Sequence, residues 1–410
     1  MQPLRYPRYR IALGISTLSW IALWLTNIAV VAGMLQGGRT SADIGLFQAA
    51  WTIAVPVCVI AGGLITDRFG PTISLRLGLA MEICGMLLMA TAFSSNDAPL
   101  PPLLLAAMLV GGSDGLNSNG VNVLAGGVVP RELMSAAIGL LLLGLAAGRI
   151  VGGTVAGPAV AALGAPGTIY LCAGLVAGAW LLTLILGRIR FATTGTSTAS
   201  SYLDLRPAMR WYRATPDART VLTIGGLMAV LVYGYFALLP VVVADVLGRD
   251  TGSQGIAMAA GGVGVAVGAL TMGPLARRVG VGRVLIAAVL GATAGLGLLA
   301  LGSTAGVVLL AVTLLPAFTN VQSASANVVL QTLAPVHMRG RVVGLYSMTF
   351  SLLLPVGTVT AGWLGQRLGV RETLTMLALA MVALTLGLVA RRRGLARDLA
   401  VAAPEERPAT

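Results

Sequence analysis

The sequence contains no lysine, a single histidine and three cysteines, and only 10% of its residues are charged. Each shortage closes off a class of protein. One histidine, His337, cannot build a histidine-based metal site. The cysteines, Cys58, Cys84 and Cys172, all fall within apolar runs and lack metal-site spacing, so they read as packing residues. There is no Ser/His/Asp set, phosphate loop or metal cluster, so the chain offers an enzyme no machinery and implies no cofactor. Charge is also far below the roughly 25% of a soluble domain. In its place stand 57% hydrophobic residues and a mean hydropathy of +0.89. That is the composition of a polytopic membrane protein.

The net charge of +13 resembles a nucleic-acid signal until the basic residues are placed. Spans of about 20 apolar residues fall near 11–35, 44–66, 72–93, 102–128, 134–161, 167–187, 220–247, 253–275, 282–301, 305–333, 341–366 and 372–390. With both termini cytoplasmic, 19 of the 27 arginines fall in cytoplasmic segments, four outside and four within the spans, three of these (Arg76, Arg283 and Arg341) in the first turns at the cytoplasmic end and only Arg149 in mid-span. This is the positive-inside pattern, and it leaves no basic face for nucleic acid. The first run follows Arg5, Arg8 and Arg10 but is about 25 residues long, beyond the 7–15 of a signal core. It reads as the first span.

The longest polar interruption, 188–219, divides six spans from six. The expected organisation is an N-terminal bundle over 1–187, a cytoplasmic linker over 188–219, a C-terminal bundle over 220–392 and a cytoplasmic tail over 393–410. The linker carries six arginines and a candidate amphipathic helix near Leu203–Arg213, suited to a lipid surface. The halves also repeat. Shifted by 205 residues, Asn122, Pro130, Gly139, Gly152, Gly157 and Gly164 fall on Asn327, Pro335, Gly344, Gly357, Gly362 and Gly369. Over 122–164 the match is eleven identities in 43 ungapped positions. A repeat of half the chain marks a duplicated transporter.

Ionisable residues in mid-span are costly and so point to function. Asp114 lies 17 residues before the hinge residue Arg131, and Arg149 lies 18 after it. In an antiparallel hairpin, equal distance from the turn means equal depth, roughly 25 Å along the helices. The spacing predicts an ion pair, either a proton-coupling device or a fixed structural pair. Glu82, mid-way along the third span, is a further coupling candidate. The fourth span is the most polar, with Asn117 and Ser118 sharing the Asp114 face and Asn122 one turn on. The tenth span mirrors it with Thr319, Asn320, Gln322, Ser323 and Asn327. Two polar helices at repeat-related positions predict the walls of a central cavity. Asn27 in the first span should face the interior, and Tyr233 and Tyr235 are candidates for stacking on an organic substrate.

The second span ends in Gly63-Leu64-Ile65-Thr66-Asp67-Arg68-Phe69-Gly70. This resembles the signature between spans two and three of the major facilitator superfamily. The second half repeats it at Gly273–Gly280, with Arg277 in place of the acid. Gly148, Gly152, Gly153, Gly157 and Pro158 resemble a degraded exporter signature of the same superfamily, with Gly153 where its proline would stand. The Tyr233–Pro240 stretch and the Arg339-Gly340-Arg341 loop resemble its branch of siderophore and macrolide exporters. The resemblance implies an all-α membrane fold of twelve helices in two pseudo-symmetric six-helix bundles. It implies gating roles for Gly63, Asp67, Arg68, Gly70, Arg339 and Arg341, and a monomer in a bacterial inner membrane. The function expected is proton-coupled export of an amphipathic organic compound, with protons and a small organic substrate as partners. Import of a small anionic metabolite through Arg149, and a non-transporting membrane sensor, are the rival readings.

Overall fold

The computed structural model describes residues 2–94, 99–130, 133–187, 206–248, 250–335 and 338–391. The hinge residues Arg131 and Glu132, His337, the linker up to 205 and the tail from 392 lie outside them. Among the described residues there is no strand. The backbone of an apolar segment in lipid has no water to bond, so it satisfies its own N–H and C=O groups as helix.

The long helices are α1 (Pro7–Gln36), α2 (Ser41–Ile53), α3 (Val55–Phe69), α4 (Pro71–Ser94), α5 (Leu100–Val128) and α6 (Met134–Leu186) in the first half. A short helix α7 (Arg206–Ala214) leads to α8 (Pro216–Leu227), a π-helical turn over Met228–Val232, and α9 (Tyr235–Val246). Then come α10 (Thr251–Val279), α11 (Val281–Leu301), α12 (Ala305–Leu333), α13 (Arg339–Leu368) and α14 (Val370–Arg391).

Twelve crossings follow from these elements. Helices α2 and α3 form one crossing bent at Ala54, where Pro56 supplies no backbone N–H. Helices α8 and α9 form another, joined through the π turn. Helix α6 is two crossings, because Gly164 takes φ +69° and Pro166 follows it. Only glycine adopts that backbone without strain. The duplication is written into such turns. Gly38 and Gly248, Gly70 and Gly280, and Gly164 and Gly369 are positive-φ glycines at equivalent places in the two halves.

The first half packs around Ile15, Ala22, Leu25, Phe47, Leu79, Met86 and Val110. The second packs around Met228, Leu238, Val289, Leu296, Val312 and Leu374. Helix α7 buries Ala208 and Tyr212, whose hydroxyl donates to Val342 O at 3.0 Å, and exposes Arg206, Arg210 and Arg213. It is the described part of the amphipathic segment expected in the linker.

The two halves approach most closely on the face away from the N-terminus. There Gly153 lies against Gly255 and Ala259, Gly157 against Gly252, and Gly45 against Thr358 and Gly362. Ser41 Oγ donates to Gly362 O at 3.1 Å, across the two halves. A Cβ on Gly153 would come within 2.6 Å of Gly255 O, so only glycine permits this contact. Glycines let helix backbones approach and gain dispersion where lipid supplies no hydrophobic drive.

The start of α10 is fixed at this contact by a cap. Asp250 accepts from Ser253 N at 2.9 Å and from Ser253 Oγ at 2.7 Å. The bond from the Ser253 side chain, with that from its backbone N–H, holds the Asp250 carboxyl below its ordinary value. A depressed carboxylate stabilises the fold above its unfolded pKa and loses that contribution as pH falls through its folded value. Asp250→Ala is expected to cost about 1 kcal/mol at neutral pH. A thermal melt of purified protein checks this, and the difference from wild type should shrink below about pH 4.

Candidate functional site

The fully buried Glu82 on α4 is the centre of a polar knot in the first half. Ser19 Oγ donates to both of its carboxylate oxygens, at 3.1 and 2.8 Å, and Asn117 Nδ2 donates at 3.1 Å. A charge or acid in a membrane interior must be bonded in this way to be tolerated. Asp114 lies one helical turn before Asn117, and the Trp20 side chain bonds to its carboxylate. Asp114, Ser19, Trp20, Asn117, Ser118 and Asn122 share the lining of a crevice of 140 Å³ within the first half. Asn122 is exposed, at the N-terminal end of that crevice.

Asp114 has a second outlook. It lines a cavity of 290 Å³ between the halves, with Trp24, Asn27, Gln48, Trp51, Tyr233, Phe236 and Thr358. Asn27 is buried and donates to Gln48 Oε1 at 3.4 Å, as expected of an interior amide. A neighbouring cavity of 360 Å³ is lined by Arg149, Tyr233, Tyr235, Phe236, Thr319, Asn320, Ser323 and Asn327. The two cavities share Tyr233 and Phe236. The π turn just before Tyr233 turns these aromatics inward; such turns widen a helix locally and recur at functional sites.

The Asp114–Arg149 ion pair expected from their matching depth is not formed in this conformation. Arg149 is buried, with its guanidinium carbon 4.8 Å from the Trp24 ring centroid and 5.8 Å from that of Phe236. It bonds toward Tyr235, and its Nε and Nη2 have no hydrogen-bond partner among the described residues. The reason is azimuth rather than depth. Helices α5 and α6 are consecutive in sequence but make little contact; α6 packs mainly along α1, α10 and α4, and α5 packs against α4, α3 and α2. Helix α1 supplies Trp20 to Asp114 and Trp24 to Arg149.

Other expected residues scatter. Asn320, Tyr233, Tyr235 and Asn327 gather at the Arg149 cavity, although Asn327 Nδ2 is turned back onto Ser323 O at 2.9 Å. Gln322 does not join them. It is fully buried and donates to the Tyr346 hydroxyl at 3.3 Å within the second half. At the N-terminal face, Gly70 closes α3 at φ +94°, and Asp67 and Arg68 are exposed, with Arg68 over the Phe69 ring. Gly63 faces open space. Arg339 is exposed and Arg341 half-buried at the start of α13. Several residues of the site went unforeseen, among them Ser19, Trp20, Gln48 and Phe236. Trp20 shares the 3–4 residue spacing with Trp24 and Asn27 that puts one helix face inward, and that stripe was the available signal.

The Major Facilitator Superfamily model matches residues 12–352 and 221–408, nearly the whole chain. The chain belongs to the major facilitator superfamily. It is a multi-pass membrane transporter, and twelve helices in two bundles are the layout of its fold. Among curated proteins it is 26% identical over 367 residues to the enterobactin exporter EntS of Salmonella choleraesuis (strain SC-B67), covering 88% of this chain and 86% of that one. It is 27% identical, with the same coverage, to EntS of Escherichia coli O6:K15:H31 (strain 536 / UPEC). Among solved structures, a mutant of the nucleoside transporter NupG superposes with a TM-score of 0.82 at 13% identity, over 94% of this chain and 100% of that one. That likeness speaks for the fold alone.

Proposed function

We propose that this superfamily member is a secondary active transporter that exports an amphipathic organic compound by proton antiport with alternating access. One observation carries the reading. Asp114 stands between two spaces, a crevice inside the first half and the cavity between the halves. A proton can reach it through the crevice while a substrate meets it in the cavity. The likeness to enterobactin exporters supports the outward direction. We read the N-terminal face as cytoplasmic from the arginine distribution, and on that reading the conformation is inward-facing.

In this cycle the substrate enters from the cytoplasm and Asp114 gives up its proton through the crevice. The loaded carrier rocks open on the far side and releases. Asp114 then takes a proton from outside and the carrier returns. Glu82, Ser19 and Asn117 hold the acid's surroundings fixed through the cycle. Asp67, Arg68, Arg339 and Arg341 line the rim that must close when the far side opens. The test is wild-type protein in liposomes with an imposed pH gradient, reading accumulation of a fluorescent amphiphile. Accumulation that collapses when a protonophore is added supports antiport. Movement indifferent to the gradient overturns it.

A further inference from the structure

We infer that the Arg149 cavity is the anchoring site for a planar organic anion, a carboxylate or phenolate carried on an aromatic ring. This rests on the export reading and names the class of its substrate.

Three hydrogen-bond donors are buried together without an acceptor among the described residues: Arg149 Nε, Arg149 Nη2 and Trp24 Nε1. A buried cation is normally paired, because leaving one unpaired is among the costliest arrangements in a protein interior. Here the nearest ionisable acids offer no relief. Asp114 is bonded to Trp20, and Glu82 is bonded to Ser19 and Asn117. What surrounds the guanidinium instead is aromatic: Trp24 and Phe236 against its faces, with Tyr235 beside it. Stacking holds the planar fork in position, with Nε and Nη2 closed in beside Gly261 and lacking an acceptor. An oxyanion entering the cavity would supply the acceptor that this fork lacks, and the fork's shape favours a planar one.

The rest of the lining fits an aromatic body behind that oxyanion. Tyr233 stands edge-on to Phe350 at 4.9 Å between centroids and lines both cavities. Thr319, Asn320 and Ser323 on α12 add hydroxyl and amide groups for ring substituents. The space of 360 Å³ beside Arg149 lies within the range of small-molecule sites. Gly261 lies directly against the Nη2 and Nε side of the Arg149 guanidinium, so α10 of the second half forms one wall of the site. The anion would thus be held between Arg149 of the first half and aromatic and polar side chains of the second. That is where a substrate must sit to sense the rocking of the halves.

The test is calorimetric titration of the full-length protein in lipid nanodiscs with three probes of one shape: naphthoate, naphthamide and naphthylmethylammonium. Wild type is expected to bind naphthoate at least about tenfold more tightly than the neutral amide, and to reject the cation, since a charged hydrogen bond is being read. Arg149→Gln should weaken naphthoate by roughly ten- to a hundredfold and leave naphthamide unchanged. Arg149→Lys should recover part of the loss, because it restores charge without the planar fork. Amide or cation binding as tight as naphthoate in wild type overturns the inference, and so does unchanged naphthoate affinity in Arg149→Gln. If Arg149→Gln does not fold, the wild-type discrimination among the probes decides alone. Binding is read without transport, so the two readings fail separately. Anion-selective binding without gradient-driven movement defeats the export reading, and gradient-driven movement without anion selectivity defeats this one.

Discussion

Asp114→Asn is expected to reduce gradient-driven transport to the background of protein-free liposomes while the protein stays folded. Asparagine has the size of the acid and can still accept from Trp20, which bonds the Asp114 carboxylate in the structure. It cannot exchange a proton, so the variant mimics one protonation state permanently. Naphthoate binding at Arg149 should survive, because that guanidinium is held by Trp24 while the acid is bonded to Trp20. Glu82→Gln is the companion. A glutamine keeps an acceptor for Ser19, and its rate is expected to fall without loss of gradient dependence. Full activity in Asp114→Asn would move the proton elsewhere. Loss of coupling in both variants would make the two acids a single proton site.

The second large effect belongs to the glycine seal. Gly153→Leu is expected to abolish transport and shift the protein toward the conformation open on the far side. The backbone of Gly255 lies where the new Cβ would go, and backbone cannot rotate aside as a side chain can. Overpacking a fitted contact typically costs 1–3 kcal/mol, enough to tilt a balanced two-state equilibrium by roughly five- to more than a hundredfold. Distances between spin labels placed on α2 and α13 at the far face read this directly. Unchanged distances, or normal transport, would show that the contact is not a gate. Gly139→Leu is the control, because Gly139 has open space around it.

Much of the architecture was legible in the sequence because the bilayer imposes it. Span length, the arginine bias and the 205-residue repeat gave the crossings, and the Asp67-Arg68 turn and the exporter-like stretches gave the superfamily. The polar stripe of the fourth span led to Asp114 and Asn117, and that of the tenth to Asn320. What spacing could not give was the order of helices around the bundle. Matching depths for Asp114 and Arg149 predicted a pair, yet α1 runs between their helices and its two tryptophans receive one charge each. Nor could a one-dimensional pattern foresee the π turn that aims Tyr233 and Phe236 into the cavity. Gln322 failed for a similar reason. It sits in the polar stripe, but its position on the helix turns it into the second half, toward Tyr346.

The seal made of glycine also bears on how small a push the machine needs. Where Gly153 parts from Gly255 and Gly157 from Gly252, the surfaces that separate are bare backbone. The one cross-half hydrogen bond described there, from Ser41 to Gly362, is of neutral type, worth about 1 kcal/mol net. A latch of that weight sits on the same scale as the work stored in a single pH unit, about 1.4 kcal/mol for one proton. A heavier lock would need several ions per turnover to spring it. A catch this light lets one proton tip the carrier in either direction.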